Sequence, residues 1–171
     1  MTHPYDIMPL AEGGGLIFTP CPGTKDADLR SALQDLHTAG ASALITLMPS
    51  HELQENNATD LPAVCAELGM SWFHFPVEDD AAPSDEFASQ WALHSADILQ
   101  MLAEGKTIAV HCKGGSGRTG LMIANILLAR QVPLDEAMAQ VQAIRPKSLR
   151  IPAHIAHLQA FAEGDVADRA V

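Results

Sequence analysis

The most constraining stretch of this 171-residue sequence is 107–129, where an apolar run of strand length, Thr107-Ile-Ala-Val-His111, passes through a glycine-rich turn into Leu121-Met-Ile-Ala-Asn-Ile-Leu-Leu-Ala129. The second segment is apolar on nearly every face, so a helix there has no side to give to water and must be buried all round. A buried strand feeding a buried helix needs a sheet below it and further helices beside it, which is a layered α/β arrangement. With aromatics at 5% of the chain, the core must be built from Ala, Leu, Ile, Val and Met, a mixture that suits helices on a sheet and disfavours an all-β sandwich.

The rest of the chain repeats the alternation. Leu16–Thr19 reads as a strand closed by Pro20-Cys-Pro-Gly23, and Thr24 or Asp26 can cap a helix over 28–38, with Leu29, Leu33 and Leu36 at helical spacing and Gly40 as its stop. Ala43–Met48 reads as a buried strand. Ser50–Asn56 is a weak helical turn, Asp60 and Pro62 open a helix that ends near Gly69, and Ser71–Phe75 is the third strand. Pro76-Val-Glu-Asp-Asp-Ala-Ala-Pro83 has no apolar periodicity and reads as a surface loop, with Ser84 capping a long helix over 85–104 that Phe87 and Trp91 anchor in the core. Helices over 134–144 and from Pro152 through Phe161 complete the pattern, and the polar tail Glu163–Val171 is expected to fray. The reading is a single domain over 1–171, with a core over about 16–162 and less ordered ends. Its fold is α/β, a central, mostly parallel sheet of about 4–5 strands flanked by helices.

A net charge of −11 sets the whole chain against nucleic acid and anionic membrane surfaces. The N-terminal residues show neither the basic nor the apolar region of a secretory signal, no run approaches the length of a membrane span, and the three cysteines, Cys21, Cys65 and Cys112, form no C-x-x-C pair. A reducing, cytoplasmic setting is expected, with no metal and no cofactor.

Chemistry concentrates in His111-Cys-Lys-Gly-Gly-Ser-Gly-Arg-Thr-Gly120, between strand and buried helix. Gly114, Gly115 and Gly117 let successive backbone N–H groups of Lys113–Arg118 fold inward as a nest for phosphate, and the helix start adds its positive end. A Walker A loop would carry Lys and then Ser or Thr after its last glycine, whereas Arg118 stands there. The same amides and Arg118 favour a negatively charged sulfur on Cys112, a strong nucleophile. Arg118 offers a planar fork to two phosphoryl oxygens, Thr119 can donate its hydroxyl to the sulfur, and His111 can fix the loop through its ring.

His-Cys-x5-Arg-Thr-Gly between a strand and a helix resembles the signature loop of the cysteine-dependent protein tyrosine and dual-specificity phosphatases. Thr19-Pro-Cys-Pro-Gly-Thr, Phe75-Pro-Val-Glu-Asp-Asp-Ala-Ala-Pro and Ile144-Arg-Pro-Lys-Ser resemble the kinase-associated phosphatase branch, the cyclin-dependent kinase inhibitor 3 family. The resemblance implies a dual-specificity-phosphatase-like fold and a two-step reaction through a cysteinyl-phosphate on Cys112. It also implies a general acid three residues after the loop proline, which is Asp79; Asp80 and Glu78 are rivals in the same loop. Where relatives use a glutamine to position the attacking water, this chain has His154. Arg145 can tie its loop down, assist substrate binding or be solvated.

The function expected is hydrolysis of phosphotyrosine, with phosphoserine and phosphothreonine as further substrates, in proteins or peptides. The alternatives are a phosphoinositide or small phosphate-ester phosphatase, for which Lys113 speaks, and a phosphate-binding module without turnover. His154 and His157, three residues apart with no third ligand, are expected at the surface, and Cys21 and Cys65 as packed core thiols rather than redox partners of Cys112.

Overall fold

In the computed structural model, which describes residues 2–169 and their side chains through Gly164, a five-stranded sheet carries helices on both faces. The strands are β1 (Asp6–Pro9), β2 (Gly15–Thr19), β3 (Ala41–Thr46), β4 (Ser71–His74) and β5 (Thr107–His111), in the order β1-β2-β5-β3-β4. All neighbours run parallel except β1, which pairs antiparallel with β2. The helices are α1 (Leu29–Thr38), α2 (Ser50–Glu55), α3 (Leu61–Glu67), α4 (Asp85–Ala103), α5 (Gly117–Ala129), α6 (Leu134–Ile144) and α7 (Pro152–Arg169).

Strand alternation divides the core between the two faces. Leu16, Phe18, Ala43, Ile45, Ile108 and Val110 pack with α4 to α7, whereas Ile17, Leu44 and Ala109 pack with α1 and α3. Every residue of α5 from Arg118 to Leu128 is buried, as its all-round apolar sequence requires. Each fully buried Leu or Ile there contributes about 1.5–3 kcal/mol relative to exposure.

Several boundaries differ from the sequence reading for identifiable reasons. Asp6–Pro9 forms an edge strand in what was expected to be a less ordered end, with Pro9 at its last position, where a missing donor costs no ladder bond. The cap of α1 is Asp28, whose Oδ1 accepts from Ser31 N at 2.7 Å. Thr24 instead bonds back to Cys21 O, and Asp26 is taken up by a left-handed turn, φ 43°. Helix α5 starts at Gly117, four residues before its apolar run, because Gly120 N closes the first turn on Ser116 O at 2.8 Å. Helix α7 runs on to Arg169 rather than fraying from Glu163; residues 170 and 171 lie outside the described residues.

His111, at the end of the central strand, ties three strands together. Trp72 Nε1 donates to Thr46 Oγ1, Thr46 and His111 Nε2 are 2.8 Å apart, and His111 Nδ1 lies 3.1 Å from Cys112 O. A carbonyl only accepts, so Nδ1 carries the proton and Nε2 accepts from the Thr46 hydroxyl, a relay that fixes every donor direction. Burial pushes the His111 pKa from 6.5 down to about 4.

Between pH 6.5 and about 4 the unfolded chain takes up a proton that folded His111 refuses, so stability falls as pH is lowered through that window, by about 3 kcal/mol from this group. Urea midpoints at pH 7.5 and pH 4.5 should therefore separate more in the wild type than in His111→Asn; equal separations would remove His111 as the source. A Cβ at Gly120 would collide with Ser148 Oγ and Cβ and lie 3.2 Å from Val141, so Gly120→Ala should destabilise by about 1–3 kcal/mol in the same assay.

Candidate active site

The carboxyl ends of β2, β5, β3 and β4 lie side by side, and the segments leaving them bring together residues remote in sequence. The loop after β5 wraps around Cys112, which is buried. Two donors reach its sulfur, Gly115 N at 3.3 Å and Thr119 Oγ1 at 3.2 Å. Gly115 is the residue that closes this turn: its φ of +84° and its approach to the backbone of Thr19 and Pro20, where a Cβ would lie 2.7 Å from Pro20 N, leave room for no side chain.

Arg118 is 2% exposed, and three of its five N–H groups are matched by acceptors from elsewhere in the chain. Nη1 donates to Glu52 Oε1 at 2.8 Å and to Val77 O at 2.9 Å, and Nη2 donates to Glu52 Oε2 at 2.8 Å. Burial opposes the guanidinium charge and Glu52 outweighs it, while the same pairing holds the Glu52 carboxyl below its usual range. Of five N–H groups, those of Nε and the second of Nη2 remain, and they point the same way along one edge of the plane. Nε is buried without a hydrogen-bond partner, and Asp79 Oδ1 stands 3.7 Å from it. The fork anticipated from sequence is thus split, one edge engaged by Glu52 and the other turned toward Asp79.

The three acids of the loop after β4 take different places. Glu78 bonds His51 Nε2 at 3.0 Å and raises the imidazole pKa. Asp80 adopts a left-handed φ of 62°. Asp79 is 74% exposed and is the one beside Arg118. Backbone bonds from Phe75 N to Thr46 O and Val77 N to Leu47 O extend the β3–β4 pairing into this loop and hold its start.

His154 and His157 are not the surface pair expected. His154 is buried with Nε2 2.9 Å from Ala81 O, which ties α7 to the acid loop, and His157 is half-buried with Nε2 2.9 Å from Asn125 Oδ1. Desolvation lowers the pKa of both. Cys21 and Cys65 are buried, and burial pushes each thiol up to about 12. The Lys113 ammonium reaches Asn56 Oδ1. Arg145 is largely covered by Phe18, Gly115 and Asp6 rather than solvated. Glu52 and Thr46 escape sequence reasoning, since nothing local marks either as a partner of the catalytic loop.

Residues 22–131 match a family model described as "Polymorphic toxin system, DSP-PTPase phosphatase". A protein tyrosine phosphatase domain-containing protein 1 of Danio rerio is 26% identical over 151 residues, covering 83% of this chain and 21% of the relative. The chain thus spans about a fifth of that relative's length. Among solved structures, kinase associated phosphatase with its catalytic cysteine replaced by serine superposes with a TM-score of 0.84 at 17% identity, covering 98% of both chains. PTPMT1 in complex with PI(5)P gives a TM-score of 0.70 at 18% identity, covering 96% of this chain and 99% of that one. The matched residues include the whole loop from Cys112 to Arg118 and the acid segment, and the chain belongs to the dual-specificity and protein tyrosine phosphatase family described by that model.

Proposed function

We propose that this phosphatase acts through Cys112 on phosphotyrosine in proteins or peptides, with phosphoserine and phosphothreonine as further substrates. The observation that carries the reading is the convergence on one sulfur of Gly115 N–H and the Thr119 hydroxyl, beside an arginine edge whose nearest carboxylate is Asp79.

The Cys112 sulfur attacks phosphorus as the ester P–O bond breaks, and the Asp79 carboxyl gives its proton to the departing oxygen. The free edge of Arg118 and the loop amides of Lys113, Gly114, Ser116 and Gly117 hold the phosphoryl oxygens and the charge that develops on them, while Gly115 N–H stays on the sulfur. Water then attacks the cysteinyl-phosphate, Asp79 takes its proton, and the P–S bond breaks to give phosphate and the sulfur anion, which Thr119 steadies as it leaves. His111 supports the loop from below through Cys112 O.

The surroundings favour a peptide. A hollow of about 450 Å³ beside the loop is lined by Glu52, Glu55, Glu78 and Asp79, against His51 and a Lys113 already engaged by Asn56. Such a rim repels a multiply phosphorylated head group and admits one phosphate on a less anionic carrier. Phosphoinositide hydrolysis is the second reading, supported by the resemblance to PTPMT1 in complex with PI(5)P. No helix among the described residues is long and apolar enough to cross a membrane.

Hydrolysis of para-nitrophenyl phosphate in the presence of a chelator should be abolished in Cys112→Ser. Asp79→Asn should lower kcat about 10²–10⁴-fold on phosphotyrosyl peptide and least on the good leaving group para-nitrophenol, with Asp80→Asn close to wild type. Equal losses in the two variants would move the acid, and faster turnover of a soluble phosphoinositide than of peptide would favour the second reading. Tight phosphopeptide binding with no product would reduce the protein to a binding module.

A further inference from the structure

Three carbonyl groups of the loop after β5 are each caught by a donor from elsewhere in the chain. Lys113 O accepts from the backbone N–H of Cys21 at 3.0 Å. Gly115 O accepts from Arg145 Nε at 3.2 Å, and Ser116 O, already bonded by Gly120 N at 2.8 Å in the first turn of α5, also accepts from Ser148 Oγ at 2.6 Å. No peptide bond among the described residues is cis, and in a planar trans peptide the C=O of one residue and the N–H of the next point in opposite directions. Holding the carbonyls of 113, 115 and 116 therefore fixes, each opposite its own carbonyl, the N–H directions of Gly114, Ser116 and Gly117. A glycine-rich segment has no side chains of its own to impose those peptide orientations, and free glycines would sample many.

We infer that Arg145 and Ser148 are positioning residues of the catalytic loop, which aim two of its phosphate-binding amides by holding the carbonyls behind them, and that Asp6 in turn orients Arg145. The inference rests on the reading of this loop as a phosphate cradle. Arg145 is built for the task. Its guanidinium lies 5.8 Å over the Phe18 ring, Nη2 reaches Phe18 O at 3.4 Å, and Nη1 pairs with the Asp6 carboxylate. Asp6 stands opposite Phe18 in the antiparallel register of β1 on β2, so the edge strand presents its carboxylate at the end of the sheet where the loop begins. Ser148 is buried, and its Oγ occupies the space that Gly120, lacking a Cβ, leaves open beside Ser116 O. A phosphoryl group then meets amides already oriented, without paying to order four flexible residues.

The test is inorganic phosphate binding measured by titration calorimetry, with thermal midpoints and the kcat and KM for para-nitrophenyl phosphate taken on the same samples. Arg145→Lys and Ser148→Ala should weaken phosphate binding about 10-fold each with raised KM, in proteins whose near-ultraviolet circular dichroism matches wild type. Asp6→Asn, an exposed substitution that leaves the core untouched, should weaken it about 3-fold alone and have no further effect in the Arg145→Ala background. Phosphate affinity unchanged in folded Arg145→Lys and Ser148→Ala would overturn the inference, as would additive effects of Asp6→Asn and Arg145→Ala. If Arg145→Ala fails to fold, the wild-type affinity of Asp6→Asn combined with Arg145→Lys decides against it in the same way. A wild type that binds phosphate without turnover would defeat the catalytic reading while leaving the binding comparison to judge this one.

Discussion

Burying the charge of Arg118 is the requirement around which the rest of this molecule is arranged. A guanidinium in an apolar interior is tolerated only when its N–H groups find acceptors, and a partly matched one costs several kcal/mol. Glu52 and Val77 supply those acceptors from segments 66 and 41 residues away. They can do so because β5 lies at the centre of the sheet with β3 beside it and β4 next, so α2 and the acid loop emerge alongside the catalytic loop. The strand order and the arginine's partners are thus two views of one constraint. The apolar surround of α5 keeps water from satisfying the arginine instead.

The acid loop shows the same economy of attachment. Its start continues the β3–β4 ladder, Val77 O is bonded to Arg118, Glu78 is held by His51, and Ala81 O is held by His154. Asp79 stands between these fixed points with its carboxyl largely in solvent. A proton donor on a restrained backbone, itself free to exchange with water, meets both demands of the role, position and recharging.

What the sequence revealed is what short-range physics writes into it. The strand Thr107–His111 and the helix Leu134–Ile144 have the bounds their apolar spacing and flanking Gly and Pro imply, and the Cys112-to-Arg118 spacing is a local property of one turn. Partners chosen across the fold left no such trace. Glu52 sits in Ser50-His-Glu-Leu-Gln-Glu55, where an acid reads as one more solvated helix residue, and Asp6 lies in a strand that Pro9 makes hard to recognise. His154 was misplaced at the surface because helical spacing cannot say that α7 packs against the acid loop. Thr46 and Trp72 escaped for a related reason: a hydroxyl and an indole in apolar strands look like packing until His111 is seen between them.

The span between partners also bears on how the protein matures. The Arg145–Asp6 pair closes 139 residues of chain, and Ser148 reaches back 32 to the loop it holds. A closure of 139 residues carries a larger chain-entropy cost than the β3–β5 pairing, which brings its ends together first. A chain emerging from the ribosome carries Cys112 long before it carries the residues that shape the cradle around it. The nucleophile and the residues that orient its cradle are therefore joined only once the two ends of the chain have met.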